Sequence, residues 1–326
     1  MRILAALLLA FVLTFTARAA EPWLKAGDVV ALVGGEDMVA VAEEGWLETL
    51  VTWAQPKDRI RFRSLAWEGD TVFEQRRDLN YPTLEAQLDK IGATAVICQF
   101  GKMESFAGKD GVAAFTEAYE KLLARLNPEG KRRIALVLPS AFSLGDLPVP
   151  GPQLSIDRKA LLEPYTGAMF DLLMKHKFQV LFDGRSFDSA YCFANYQVTR
   201  DGFHLNPHME LPLARDYAVD LGLGPEYPEE VVAWKASPGT RPLPWFESIP
   251  KPVETLNAAI RAKNRMWFHY SRPQNWAFLA GNRTNQPSSR DHLDPTKRWF
   301  PEEMEQWLPL IEAKEKEIWA MAEAHQ

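Results

Sequence analysis

The chain predicts an α/β fold, a mostly parallel β-sheet with helices on both faces. Three observations lead to it. Short apolar runs of strand length recur through the first two thirds of the 326 residues. Segments with helical spacing separate them, and polar, Gly-containing stretches follow several of the runs. Near-continuous apolar runs are what a parallel sheet requires, because helices bury both of its faces.

Residues 28–33 form the first such run, and Gly34-Gly35 ends it as a turn. Over residues 41–53, Trp46, Leu47, Leu50, Val51 and Trp53 have helical spacing. Ile60, Phe62 and Ser64 alternate with Arg61 and Arg63, the pattern of an edge strand. Residues 93–100 are a second, fully apolar strand. Residues 111–126 are an amphipathic helix, and residues 133–138 a third apolar strand stopped by Pro139. A helix over 158–176 and a strand over 178–182 follow. Asn206 is an N-cap and Pro207 the first residue of a helix reaching about Leu221. Seven prolines over residues 225–252 exclude a regular element, leaving a wrap or a linker. Residues 253–269 and 301–324 predict two amphipathic helices. The expected organisation is a signal peptide (1–19), an α/β domain (20–224), and a Pro-rich wrap with a two-helix C-terminal extension (225–326).

Composition narrows the function classes. With 11 Trp, 18 Phe and 8 Tyr, the chain has too much apolar surface to bury for disorder to be its main state. A formal net charge of -6 gives no electrostatic footprint for nucleic acid. Arg2, an apolar run over residues 3–15 and Ala17-Arg18-Ala19 have the pattern of a secretory signal peptide cleaved after Ala19. That run is shorter than the roughly 20 residues a spanning helix needs, and no later stretch is apolar enough. The mature protein is therefore expected in a periplasm or outside the cell, with no membrane span. Cys98 and Cys192 are the only cysteines, so no C-x-x-C metal or redox motif exists. Both are expected as free thiols, although the compartment permits pairing. No metal or cofactor is expected, and the oligomeric state stays open.

In open parallel sheets, functional groups gather beyond the carboxyl ends of the strands. Four loops qualify: Gly34-Gly35-Glu36-Asp37, Gly69-Asp70-Thr71, Gly101-Lys102-Met103-Glu104-Ser105, and Thr199-Arg200-Asp201-Gly202-Phe203-His204. The blocks that contain them, taken in order, are Ala31 through Glu36, Leu65 through Val72, Phe100 through Gly108, and Asp201 through Asn206. This succession resembles the SGNH/GDSL hydrolase superfamily, closest to secreted members with a helical C-terminal extension. The resemblance covers about residues 29–223, with a looser match around 267–275.

The resemblance implies a flavodoxin-like three-layer α/β/α sandwich and ester hydrolysis. It implies a Ser nucleophile after the first strand, a Gly and an Asn for the oxyanion, and a late Asp-x-x-His. On this resemblance His204 is the general base and Asp201 fixes its tautomer. Gly69 supplies a backbone N–H to the developing negative charge. Two positions depart from the pattern. Glu36 stands at the nucleophile position, and the first Ser of the chain is Ser64. Met103 stands at the oxyanion Asn position and cannot donate a hydrogen bond. The usual acyl-enzyme route is thus unavailable at this place.

Glu36 is then a base acting on water, or a binder of a cation or a sugar hydroxyl. Glu104 caps the following segment or binds substrate, and Ser105 is expected as loop structure. His204 and His208 are four apart but straddle a helix start, which argues against a metal pair. Arg265, His269 and Arg272 either reach over the site or serve packing. Trp267, Trp276 and Trp299 are either a sugar-stacking surface or core. Two functions lead, ahead of a structural partner role for the tail. One is a secreted hydrolase of a small-molecule or O-acylated carbohydrate ester, with altered chemistry through Glu36, His204 and Asp201. The other is a degenerate domain that binds a carbohydrate or small ligand without turnover.

Overall fold

Among the described residues of the computed structural model, five strands form one parallel sheet in the order β2-β1-β3-β4-β5. They are β1 (Val29–Gly34), β2 (Arg61–Ser64), β3 (Ala95–Gln99), β4 (Arg133–Val137) and β5 (Val180–Phe182). The described residues are 22–75, 77, 80–139, 152–178, 180–182, 204–223, 249–274 and 276–326. The expected signal peptide, Cys192, Asp201 and the Pro-rich stretch up to residue 248 lie outside them.

The period-two geometry of the strands sorts their side chains into two layers. Val30, Leu32, Ala95, Ile97, Ala135 and Val137 face one side. There they pack on α1 (Glu36–Glu44), α2 (Trp46–Ala54) and α6 (Glu210–Asp220). Ala31, Val33, Val96, Cys98, Ile134 and Leu136 face the other. Their partners are α3 (Leu84–Lys90), α4 (Val112–Leu126) and α5 (Pro152–His176). Every residue of β1 and β3 is buried, which is why these segments read as continuous apolar runs. The result is the expected three-layer α/β/α sandwich.

The C-terminal helices are α7 (Lys251–Ser271), α8 (Trp276–Leu279), α9 (Trp299–Glu305) and α10 (Trp307–Glu323). Helix α7 covers the edge strand β2 and the chain just beyond it. Lys263 Nζ donates to Phe62 O (3.4 Å), Trp267 Nε1 to Ser64 O (2.7 Å), and Arg272, just past α7, to Ala66 O. The pitch is matched. Four residues of helix rise about 6 Å and two residues of strand about 6.6 Å, so donors a turn apart on α7 meet alternate carbonyls. The outward carbonyls of an otherwise open sheet edge thereby accept bonds from side chains.

The alternation at β2 predicts an edge strand, and β2 is one, but Arg63 is not solvated. It is buried and pairs with Glu315 of α10 at 2.5 Å. Two helices differ from expectation. Residues 41–53 belong to two helices that break at Gly45, where Asn257 of α7 donates to Glu44 O (2.9 Å) and contacts Thr49 Oγ1 (3.1 Å). The tail helix expected over 301–324 is likewise divided, into α9 and α10 at Gln306. Among the described residues, no helix is long and apolar enough to cross a membrane.

Candidate active site

β1 ends in a close approach that only glycine permits. A Cβ on Gly34 would lie 2.5 Å from Gln99 O and 2.7 Å from Met38 Cγ. The chain turns directly into α1, so Glu36 and Asp37 occupy its first turn, where the helix dipole favours negative charge. β3 neighbours β1 in the sheet, and its following loop brings Lys102 to the same place. Lys102 Nζ is 2.8 Å from Asp37 Oδ1 and 3.9 Å from Glu36 Oε1, with all three side chains at least 88% removed from solvent.

The loops after β2 and β3 are tied together by Glu104. Its Oε1 accepts from Val72 N–H (2.7 Å) and its Oε2 from Gly101 N–H (2.8 Å). Both carboxylate oxygens therefore serve the backbone. The turn that carries Gly69 is held from three further directions. Trp67 N–H donates to Gly34 O (3.1 Å). Asp70 takes a bidentate pair of bonds from Arg77, each 2.7 Å. The Trp67 ring lies between the guanidinium groups of Arg77 (4.2 Å) and Arg272 (4.5 Å). Gly69 itself adopts φ +82°, and a Cβ there would meet nothing within 4 Å, so its backbone borders open space.

Met103 sits at the rim, 39% exposed. Ser105 is buried and its hydroxyl donates to Lys102 O (2.7 Å). His204 lies near enough to Glu36 for its charge to act on that carboxyl. Glu36, Asp37, Asp70 and the 99–104 segment line one depression of about 10 Å³, room for roughly a single water. Thus Glu36, the Gly69 turn, Met103 and Glu104 meet at the carboxyl edge of the sheet, with His204 in electrostatic range of Glu36, while Asp201 falls outside the described residues. So does the side chain of His208.

Electrostatics set this depression apart. Burial, reinforced by Asp37, raises the Glu36 pKa above the ordinary glutamate value of 4.5, against the pull of Lys102. Burial also raises Glu104 and Asp70, opposed respectively by the backbone hydrogen bonds and by Arg77. Fully buried Glu210, at the start of α6, is pushed well above its ordinary value by burial and then by Asp37. A carboxyl group that keeps its proton to higher pH can exchange protons with substrate near neutrality. Among the described residues, no group of three or more His, Cys, Asp or Glu side chains is arranged to hold a metal.

Sequence reasoning did not single out Lys102, Asp37 or Glu210. Lys102 and Asp37 stand inside loops that the strand pattern had marked, so position was the available signal. Glu210 carried none, since an acid in a first helical turn is ordinary. Among the tail residues, Trp267 is core, 4% exposed. Trp299 is part exposed and bonds Glu303 within its own helix (2.9 Å). The Trp276 side chain lies outside the described residues.

No protein-family model and no curated protein sequence matches the chain. Solved structures do. The chain is similar to an α/β-hydrolase enzyme from the metagenome of Lake Arreo, Spain, at 17% identity over 62% of this chain and 98% of that one (TM-score 0.46). It is similar to an acetylxylan esterase from Geobacillus stearothermophilus at 15% identity, over 61% and 95% of the two chains (TM-score 0.45). A candidate GDSL-like lipase from Parabacteroides merdae aligns at 15% identity over 61% and 98% (TM-score 0.48). The fold assignment stands on the chain's own strand order and its two helical layers.

Proposed function

We propose that this protein is an exported, SGNH-type hydrolase of small-molecule or carbohydrate esters, in which a buried carboxylate–lysine pair stands in for the serine nucleophile. The observation that carries the reading is Glu36: a carboxyl at the end of β1, beside Lys102, with its proton affinity raised by burial. The chemistry that suits it is a single displacement. Ionised Glu36 takes a proton from a water, and the water oxygen bonds to the ester carbonyl carbon. The carbonyl oxygen becomes an oxyanion that accepts from the Gly69 backbone N–H. As the carbon–oxygen bond to the alcohol breaks, the leaving oxygen recovers the proton from Glu36 or takes one from His204. No acyl-enzyme forms, so the absent serine is no obstacle. Lys102, paired with Asp37, limits the proton affinity of Glu36.

A second reading is a ligand-binding domain without turnover. Met103 favours it, because a thioether at the mouth supplies no donor for an oxyanion. One experiment separates the two. The mature protein is assayed against aryl and acetyl-sugar esters, beside Glu36→Gln and His204→Ala, with hydrolysis in ¹⁸O-water. Turnover lost in Glu36→Gln, with one ¹⁸O in the acid and no protein-bound acyl group by mass, supports the hydrolase. Saccharide binding without turnover supports the binding domain. An acid limb of the rate profile at the ordinary glutamate value would oppose Glu36 as the base, whose folded value is raised.

A further inference from the structure

A second cavity lies apart from the candidate active site. It is a cleft of about 390 Å³ between the second half of α1 and the last three turns of α7, and it shares no residue with the depression around Glu36. Its size suits a small organic molecule. Val39, Ala42 and Phe268 give it an apolar wall, while Ser64, Asn264 and Ser271 add polar groups.

Three arginines border this cleft, and they are not equally engaged. Arg272 is committed to Glu68 (2.8 Å), to Ala66 O and to the Trp67 ring. Arg261 donates from Nε to Glu43 O (3.2 Å), and its Nη2 is 3.6 Å from Glu44. Arg265, one turn further along α7 on the same wall, has no hydrogen bond or ion pair among the described residues. Glu43 also borders the cleft and is exposed, as Arg265 is, but the two form no ion pair, and Glu44 has Arg261. A guanidinium left without a counter-ion beside an apolar wall, in a chain of net charge -6, is an arrangement suited to an organic anion.

We propose that this cleft binds a small organic carboxylate, the carboxylate on Arg265 and Arg261 and the apolar body against Phe268 and Ala42. The site goes beyond the hydrolase reading and does not depend on it. Arg265 is exposed and makes no hydrogen bond or ion pair among the described residues, so its variants are expected to test binding, with unfolding of each variant measured beside it. Isothermal titration of the mature protein uses benzoate, glucuronate, benzamide and inorganic phosphate as probes. Benzoate or glucuronate binding is expected, at least tenfold weaker in Arg265→Gln, partly kept in Arg265→Lys, and blocked in Ala42→Phe. Benzamide is expected at least tenfold weaker than benzoate. Three results would overturn the assignment: no carboxylate binding by the wild type, unchanged affinity in Arg265→Gln, or phosphate or benzamide binding as tightly as benzoate.

Discussion

Among the described residues two lysines are buried, Lys102 and Lys263, and their surroundings differ in one respect that separates scaffold from site. Lys263 sits where α2, β2, α7 and α10 meet. It pairs with Glu48 at 2.8 Å, while Arg63 pairs with Glu315 at 2.5 Å. Two cations face two carboxylates, and the group is closed. Lys102 faces Glu36 and Asp37, with buried Glu210 close enough to feel both Asp37 and Lys102. There the described acids outnumber the cation. Burial raises Glu48 and Glu36 alike, yet Glu48 has Lys263 as a close, bonded partner, whereas Lys102 lies nearer to Asp37 than to Glu36. A balanced buried cluster fixes geometry; an unbalanced one leaves a carboxyl group poised to exchange a proton.

The largest test removes the balance where it exists. Lys263→Met leaves Glu48 buried without its partner and is expected to cost about 3–5 kcal/mol in urea unfolding. Pairing it with Glu48→Leu should recover most of that loss, because an apolar pair has no charge to desolvate. A loss under about 1 kcal/mol for Lys263→Met would break the comparison.

Glu104→Gln comes next. The carboxylate accepts two backbone N–H bonds, and an amide can accept only one without opposing donor to donor. A loss of about 1–3 kcal/mol is expected, with faster amide exchange at Val72 and Gly101. Unchanged exchange at both amides would show that Glu104 does not hold the Gly69 turn.

Glu36→Gln should have the opposite sign. A carboxyl whose folded pKa is raised weakens the fold most above that value, and the penalty fades as pH falls through it towards 4.5. The variant is therefore expected to be more stable than wild type by about 1 kcal/mol at neutral pH while losing turnover. The gain should shrink on acidification. A stability difference that is flat from pH 4 to 8 would remove the electrostatic account of the site.

The smallest effect concerns a buried titratable group with no counter-charge at all. Cys98 is a free thiol, fully buried beside Tyr119, and burial pushes it up to about 12. In a Cys192→Ser background, folded protein should show no thiol labelling at pH 8 and full labelling once unfolded. Labelling of the folded protein would mean that the α3–α4–α5 layer opens readily.

Some of this was legible in the chain because the signals are local. Each central strand shows as an apolar run since both faces are buried, and the loops after those runs come together because parallel strands all end on one side. Glu36, Gly69, Met103, Glu104 and His204 could be named from four loops without knowing a distance. The break at Gly45 had a local signal, a glycine that ends α1 in the left-handed conformation; its contact with Asn257 of α7, more than two hundred residues later in sequence, had none.

By itself, then, the sequence determined the strand and helix periods and marked the carboxyl edge and Glu36 as the place to look for a site. Periodicity and residue type are local properties, and reading them needs no partner. Only the tertiary structure decided which charges meet. Arg63 looks like a solvated edge residue until Glu315, 252 positions away, pairs with it. Lys102 looks like a loop residue until the β1–β3 pairing sets it against Asp37. The matched pitch of α7 and β2 likewise appears in neither segment alone. Coulomb interactions and desolvation depend on distance in space, and that distance is set by the fold.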